Sequence, residues 1–322
     1  MTEFADMRTV YGETLIKIGE ENPNVVVVGA DTTDSLKTKP FGKKFPNRFF
    51  NVGIAEGNLI TVAAGLANEG KTPFASTYAA FLPGRCVDQI RNAIAYPTRN
   101  GKNGLDVKMV VSHGGLSVGA DGGSHQQIED IAIMRAIPNI KVLIPADAIA
   151  VEKLTQLISQ LYGPFYMRMT RSKTPIIHSQ EQEFQLGKGI VLRDGSDCTI
   201  AACGITVQMA IDAADALKQE GISCRVIDMF SIKPIDSDLL EKAARETGGI
   251  VTCEEHNIMA GFGSAVSEVV SEKYPVHMRR IGVRDQFGES ARDSEISLLL
   301  EKHGMTSIHI SNAVKDIRSK KQ

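Results

Sequence analysis

No run in this 322-residue chain approaches the ~18 consecutive apolar residues that a membrane-crossing helix needs. A charged amino-terminal segment leading into an apolar stretch is missing as well, so the sequence predicts a cytoplasmic protein. Charge of one sign is also scarce: 36 basic and 38 acidic residues leave a formal net charge of -2, with the two signs interspersed. That balance gives no electrostatic footprint for nucleic acid and no basic amphipathic face for a membrane surface. The expected partner is a small molecule or another protein. Cys86, Cys198, Cys203, Cys224 and Cys253 form no C-x-x-C pair, and most lie in apolar, strand-like contexts where cysteine acts as a small hydrophobe. Neither a disulfide framework nor a zinc site is expected. No low-complexity tract or short-period repeat interrupts the chain.

What is present is alternation. Single cores stop growing near ~250 to 300 residues, so a chain of this length is expected to form two domains. Apolar runs of strand length alternate with segments of helical period throughout, the pattern of βαβ units around a parallel sheet, and the fold class is α/β with two doubly wound, Rossmann-like domains. In the first half strands are predicted near Val25–Val28, Thr72–Ser76, Val107–Ser112, Lys141–Ile144 and Pro164–Arg168. Helices are predicted near Thr9–Glu21, Ala55–Glu69, Pro83–Tyr96, Ile128–Arg135 and Ala148–Leu161. A polar, proline-containing stretch then breaks the pattern, which gives a first domain at 1–173, a linker at 174–189 and a second domain at 190–322. The second half reads as strands at 198–203, 224–228, 250–254 and 277–281 with helices at 206–220, 237–246 and 262–272, followed by two terminal helices.

Ligands of open α/β sheets collect beyond the carboxyl ends of the strands, where Gly29-Ala30-Asp31, Ser76-Thr77-Tyr78 and His113-Gly114-Gly115 fall. Glu56 starts a helix so apolar and rich in Gly and Ala that it must be buried, and a buried acid needs a partner. The plain alternative is an acid satisfying the backbone N–H groups of a helix amino terminus. Tyr78 and Phe81, three residues apart at a strand-to-helix junction, can wall a flat ring, although aromatics at this spacing also serve as core. The stretch from His113 to Gln127 holds five glycines with Asp121 and His125, so backbone can approach a ligand closely beside groups that titrate near neutrality. Its plain alternative is a mobile surface loop. The spacing of His113, Asp121 and His125 does not suit zinc. Arg8, Ser35 and Arg171 are ordinary in isolation.

Taken in order, Gly29-Ala30-Asp31, Asn51 to Glu56, Ser76 to Phe81, His113 to His125 and Arg168-Met169-Thr170-Arg171 resemble the pyrimidine-binding domain of transketolase. Residues from about 190, including Glu254-Glu255-His256-Asn257-Ile258-Met259, look like the family's carboxy-terminal domain. The resemblance implies thiamine diphosphate with Mg2+, and a transferase of the pentose phosphate pathway that carries a two-carbon ketol unit from a ketose phosphate to an aldose phosphate. It implies that Glu56 hydrogen-bonds the aminopyrimidine ring, that Phe81 stacks on it with Tyr78 alongside, and that Asp31 lies near it. It also implies that Asp121 and His125 bind the ketose hydroxyls, with His125 assisting proton movement, and that Arg8, Ser35, His113 and Arg171 hold the sugar phosphate. Gly84 departs from the pattern, since many members carry a third aromatic there. His178, His277, His303 and His309 lie outside the matched motifs and read as structural or solvated, and His256 is open between structure and function.

One signature of the thiamine enzymes is missing. They anchor the diphosphate and magnesium through Gly-Asp-Gly and a later Asn. This chain has no Gly-Asp-Gly; Ala120-Asp121-Gly122 is the nearest text, and Asn139 follows it too closely. The resemblance then implies a carboxy-terminal subunit of a split transketolase, contributing no metal ligand itself. An amino-terminal partner subunit would carry the Gly-Asp-Gly site, and the two would form a two-fold heterotetramer. Deoxyxylulose-phosphate synthase and the beta subunits of 2-oxo acid dehydrogenases share this domain order. The same residues are also compatible with a transketolase for an unusual sugar and with a non-catalytic scaffold or regulatory subunit.

Overall fold

The structure is a computed structural model that describes residues 3–320. Its larger sheet has six parallel strands in the order Lys141–Leu143, Phe165–Arg168, Lys108–Ser112, Thr72–Tyr78, Val25–Gly29 and Phe49–Asn51. A seventh, Ser231–Lys233, joins Lys141–Leu143 in antiparallel fashion from the second half of the chain. Every residue of Val25–Gly29, Lys108–Ser112 and Phe165–Arg168 is buried, as expected for a parallel sheet covered on both faces. Helices Met7–Glu21 and Ala148–Gln160 begin on aspartates: Asp6 accepts from Arg8 N and Asp147 from Ala150 N, satisfying backbone donors that the first helical turn leaves unpaired.

The second sheet runs Ile190–Arg193, Cys224–Asp228, Cys198–Ala202, Gly249–Asn257 and His277–Val283, parallel apart from the first strand. Helices Thr206–Gln219, Ser237–Thr247, Phe262–Lys273 and Ser307–Ser319 accompany it. The fold class read from the alternation, α/β with mostly parallel sheets, is the architecture observed. The strands Phe49–Asn51, Ile190–Arg193 and Ser231–Lys233 were not predicted; at three or four residues they are too short to set up a period. The helix expected to run unbroken from Pro83 to Tyr96 is interrupted. Cys86 leaves helical dihedrals (φ -123°, ψ 21°) within Leu82–Gln89, and Ile90–Ala95 continues as a wider, π-type turn.

The two sheets share packing. One apolar cluster extends from Val28, Leu59, Ile144 and Tyr166 to Ala201, Ile227, Met229 and Leu240. The polar stretch after residue 173 is also tied down: Thr174–Pro175 pairs with Phe4–Ala5. His178 is wholly buried, its Nδ1 3.2 Å from Asp147 and its Nε2 3.3 Å from Asp228. It joins the first half to the second as a structural histidine. All five cysteines are buried, and no helix among the described residues is long and apolar enough to cross a membrane.

Candidate active site

Parallel strands bring their carboxyl ends to one edge, and the sequence-predicted residues follow those ends. Asp31 comes two residues after Val25–Gly29, Tyr78 closes Thr72–Tyr78, and His113 follows Lys108–Ser112. Asp31 (φ 60°) and His113 (φ 65°) both adopt left-handed backbone, a conformation uncommon outside glycine that concentrates at functional sites. Asn51, at the end of Phe49–Asn51, fixes the Asp31 turn: its Oδ1 accepts from Asp31 N at 2.9 Å and from Gly53 N at 3.2 Å, and its Nδ2 donates to Asp31 Oδ1 at 3.3 Å.

Four rings converge next to this turn. Tyr78 lies with its centroid 4.0 Å from His113 and 5.7 Å from Phe81, while His125 stands 5.1 Å from Phe81 and 6.0 Å from Tyr78. His113 is buried, with Ser112 Oγ 2.7 Å from its Nδ1. Burial, then the positive charges of Arg8 and Arg171, push its pKa down to about 3, so it presents a neutral imidazole at physiological pH. Its Nε2 is 3.8 Å from Asp121, which in turn is 3.7 Å from Arg171. The stretch 113–127 is therefore no loose loop: His113, Leu116, Ser117, Val118, Gln126 and Gln127 are all buried. Gly115 (φ 83°) shows why glycine recurs there, since a Cβ would meet Glu255 Cδ at 2.2 Å.

Both predicted phosphate arginines already hold carboxylates. Arg8 donates to Asp6 through Nε and Nη2, each at 3.0 Å. Arg171 Nη1 donates to Asp293 of the second half at 2.8 Å. Ser35 lies half-buried in the turn before Lys39–Lys44; its neighbour Lys37 acts on the charge of Asp6, which places that turn beside Arg8. Among the described residues, no hydrogen bond joins Ser35 to the rest of the group. Glu56 is buried at the start of Glu56–Asn68, and Arg85 Nη1 donates to its Oε1 at 3.1 Å and its Oε2 at 3.0 Å. Arg85 and Asp293 were missed in the sequence. Arg85 had a signal, standing four residues after Phe81 at the spacing that places an arginine over an aromatic on a helix. Asp293 had none, because only tertiary packing brings it to Arg171.

Beneath the site lies a buried charged network. Arg168 Nε is 3.1 Å from Asp130, and its Nη2 donates to Glu255 O at 2.8 Å. Burial raises Glu254 and Glu255 to about 7, against backbone donors for the first and chiefly against Arg168 for the second. His256, open in the sequence reading, is wholly buried, 3.9 Å from Asp130 and pushed down to about 4 by burial. It belongs to the packing between the halves.

A buried carboxyl, a stacking aromatic and a second aromatic within 6 Å of it form a donor set that suits a flat heteroaromatic ring with hydrogen-bonding edges. Residues 4–176 match the transketolase pyrimidine-binding domain and residues 187–310 the transketolase C-terminal domain. The chain belongs to the transketolase family. It is 44% identical over 314 residues to a putative transketolase C-terminal section of Methanocaldococcus jannaschii, covering 97% of this chain and 96% of that one. It is 38% identical over 315 residues to a 6-deoxy-6-sulfo-D-fructose transketolase subunit of a Clostridium species, covering 98% and 95%. A solved structure titled as a split gene transketolase, in an inactive beta4 tetramer, superposes with a TM-score of 0.89 at 46% identity, covering 98% of this chain and 99% of that one. The chain therefore corresponds to the carboxy-terminal subunit of split transketolases, and the transketolase family implies thiamine diphosphate as its cofactor.

Proposed function

We propose that this chain is the pyrimidine-binding half of a two-chain transketolase that moves a two-carbon ketol unit from a ketose phosphate to an aldose phosphate. The observation that carries the reading is the buried Glu56 carboxyl, linked through Arg85 to the face of Phe81, whose ring packs with Tyr78 and His125 close to the His113–Asp121 pair. Thiamine diphosphate, when bound, supplies the electron sink for cleaving and forming the carbon–carbon bond. Glu56 binds and orients the aminopyrimidine edge, and Phe81 and Tyr78 wall its face, with Asp31 on the Asn51-fixed turn alongside. His125, tethered to Ser124 Oγ at 3.0 Å, moves protons at the sugar hydroxyls next to the breaking bond, and Asp121 positions them. His113 contributes a neutral hydrogen-bonding ring.

Arg8 and Arg171, with Ser35 and His113, take the anionic end of the sugar. The carboxylates on both arginines favour a second reading for this end. Asp6 and Asp293 already offset the guanidinium charges, which suits a monoanionic sulfonate better than a dianionic phosphate. The Clostridium relative, named for a 6-sulfo sugar, agrees with it. Comparing kcat/KM for a ketose 6-phosphate with that for its 6-sulfonate decides between the two.

A partner chain would bring the Gly-Asp-Gly site for the diphosphate and Mg2+ and close a two-fold heterotetramer. Two features support it: the motif is missing from this sequence, and the chain aligns over nearly its full length with a solved split gene transketolase. The test is Glu56→Gln, mixed with such a partner and assayed with a ketose phosphate, an aldose phosphate, thiamine diphosphate and magnesium. Ketol transfer should be lost while the complex still assembles; turnover at the normal rate would refute the role of Glu56.

A further inference from the structure

The seat assigned to the aminopyrimidine ring is filled by the chain itself. Arg85 Cζ lies over the Phe81 ring, 4.1 Å from its centroid, while Nη1 of the same guanidinium donates to both oxygens of Glu56 at 3.0 and 3.1 Å. The other neighbours of that ring, His125 and Tyr78, meet it at 66° and 49° rather than lying flat. A guanidinium is a planar, delocalised cation whose donors lie in its plane, so it stacks on an aromatic face and hydrogen-bonds a carboxylate at the same time. An aminopyrimidine has the same two faculties, a flat π-face and nitrogen groups along its edge. Both cannot use Phe81 and Glu56 together.

We infer that Arg85, placed over Phe81 and on Glu56, holds the seat of the aminopyrimidine ring and must leave for the ring to enter, which makes it an affinity-determining residue of the cofactor pocket. The inference rests on the reading of Glu56 and Phe81 as the seat of that ring. The route out is open: the Arg85 side chain is 51% exposed whereas that of Glu56 is 5% exposed. The contact also satisfies Glu56. A buried carboxylate with no partner is costly, and Arg85 satisfies it until the ring arrives. Cofactor affinity is then reduced by the fraction of chains whose seat is open, as for any ligand that binds only a minor conformer.

The test uses thiamine, which carries the aminopyrimidine without the diphosphate, titrated calorimetrically into the full chain. If the seat is open in a tenth of chains or fewer, Arg85→Ala should bind thiamine at least about tenfold more tightly than wild type. The same variant should melt at a lower temperature when empty and gain more from thiamine than wild type does. Arg85→Gln, which keeps the stem and one donor, should shift both measurements the same way by less and guards against a misfolded alanine variant. Glu56→Gln should bind thiamine more weakly, and the double variant should lose the gain seen in Arg85→Ala. If Glu56→Gln weakens binding but neither Arg85 variant tightens it, the placeholder is overturned while the Glu56 seat stands. If Glu56→Gln binds thiamine as wild type does, the seat itself is misassigned and the inference falls with it.

Discussion

His178 Nδ1 stands 3.2 Å from Asp147, and neither side chain reaches solvent. On the other side of the ring is Asp228, at 3.3 Å from Nε2. Burial pulls the imidazole pKa down, but the Asp147 and Asp228 carboxylates outweigh it and lift it from 6.5 to about 9. The stretch after residue 173 is thus pinned to the first half through Asp147 and to the second through Asp228.

That pairing has a signed pH dependence. A group whose folded-state pKa is raised contributes stability that is fully present below its unfolded value and is lost as pH rises through its folded value. For His178 the window runs from about 6.5 to about 9. Urea melts from pH 7 to pH 10 should show stability falling by up to about 3 kcal/mol from this residue, at ~1.4 kcal/mol per pKa unit. His178→Gln should be less stable at pH 7 and should lack most of that slope.

Arg168 is the cation of the other buried network, between Asp130 and the backbone of Glu255. Arg168→Met keeps the stem but leaves Asp130 buried without its cation, so unfolding free energy should fall by about 3 to 5 kcal/mol. Denaturant melts measure it, and the loss should exceed that of removing the more exposed pair Lys17–Glu152, worth about 0 to 1 kcal/mol.

His125 packs at 66° to the Phe81 ring with centroids 5.1 Å apart, and Ser124 Oγ lies 3.0 Å from its Nδ1. Under the proposed two-chain reading, His125→Ala assayed with the partner chain should lower kcat/KM by about 10²- to 10⁴-fold, the usual range for a general acid–base group. Thiamine diphosphate binding, followed by calorimetry, should stay within a factor of a few.

Arg8 and Arg171 read the anionic end of the sugar under the proposed function. A hydrogen bond to a charged group contributes about 1.5 to 3 kcal/mol, so replacing either arginine by alanine should cost about 10- to 150-fold in kcat/KM. The loss should be confined to sugars with an anionic end, and a ketose without one should be turned over nearly as by wild type. Asp293→Asn, which frees Arg171 from its partner, should favour a dianionic sugar over a monoanionic one relative to wild type.

The α/β class and most strands were legible because buried parallel strands leave near-continuous apolar runs such as Val25–Val28. Short edge strands were not: Ser231–Lys233 has no period of its own, and only the facing strand Lys141–Leu143 gives it a partner. For the candidate site, the sequence points to Asp31, Tyr78, Phe81, His113 and His125 because strand ends collect ligands and their order resembles a family, and the structure brings Tyr78, Phe81, His113 and His125 together. Their carboxylate neighbours were not visible. Asp293 lies 122 residues from Arg171 along the chain, and a contact of that range leaves no local pattern. His178 read as one of four histidines outside the motifs, since nothing in its polar surroundings signals that two distant aspartates enclose it.

The two-chain assignment is tested most directly by assaying the purified chain alone and mixed with a chain that carries Gly-Asp-Gly and a downstream Asn. Each sample receives a ketose phosphate, an aldose phosphate, thiamine diphosphate and magnesium, and transfer of the two-carbon unit is followed. Turnover is expected only in the mixture. Turnover by this chain alone would contradict the assignment.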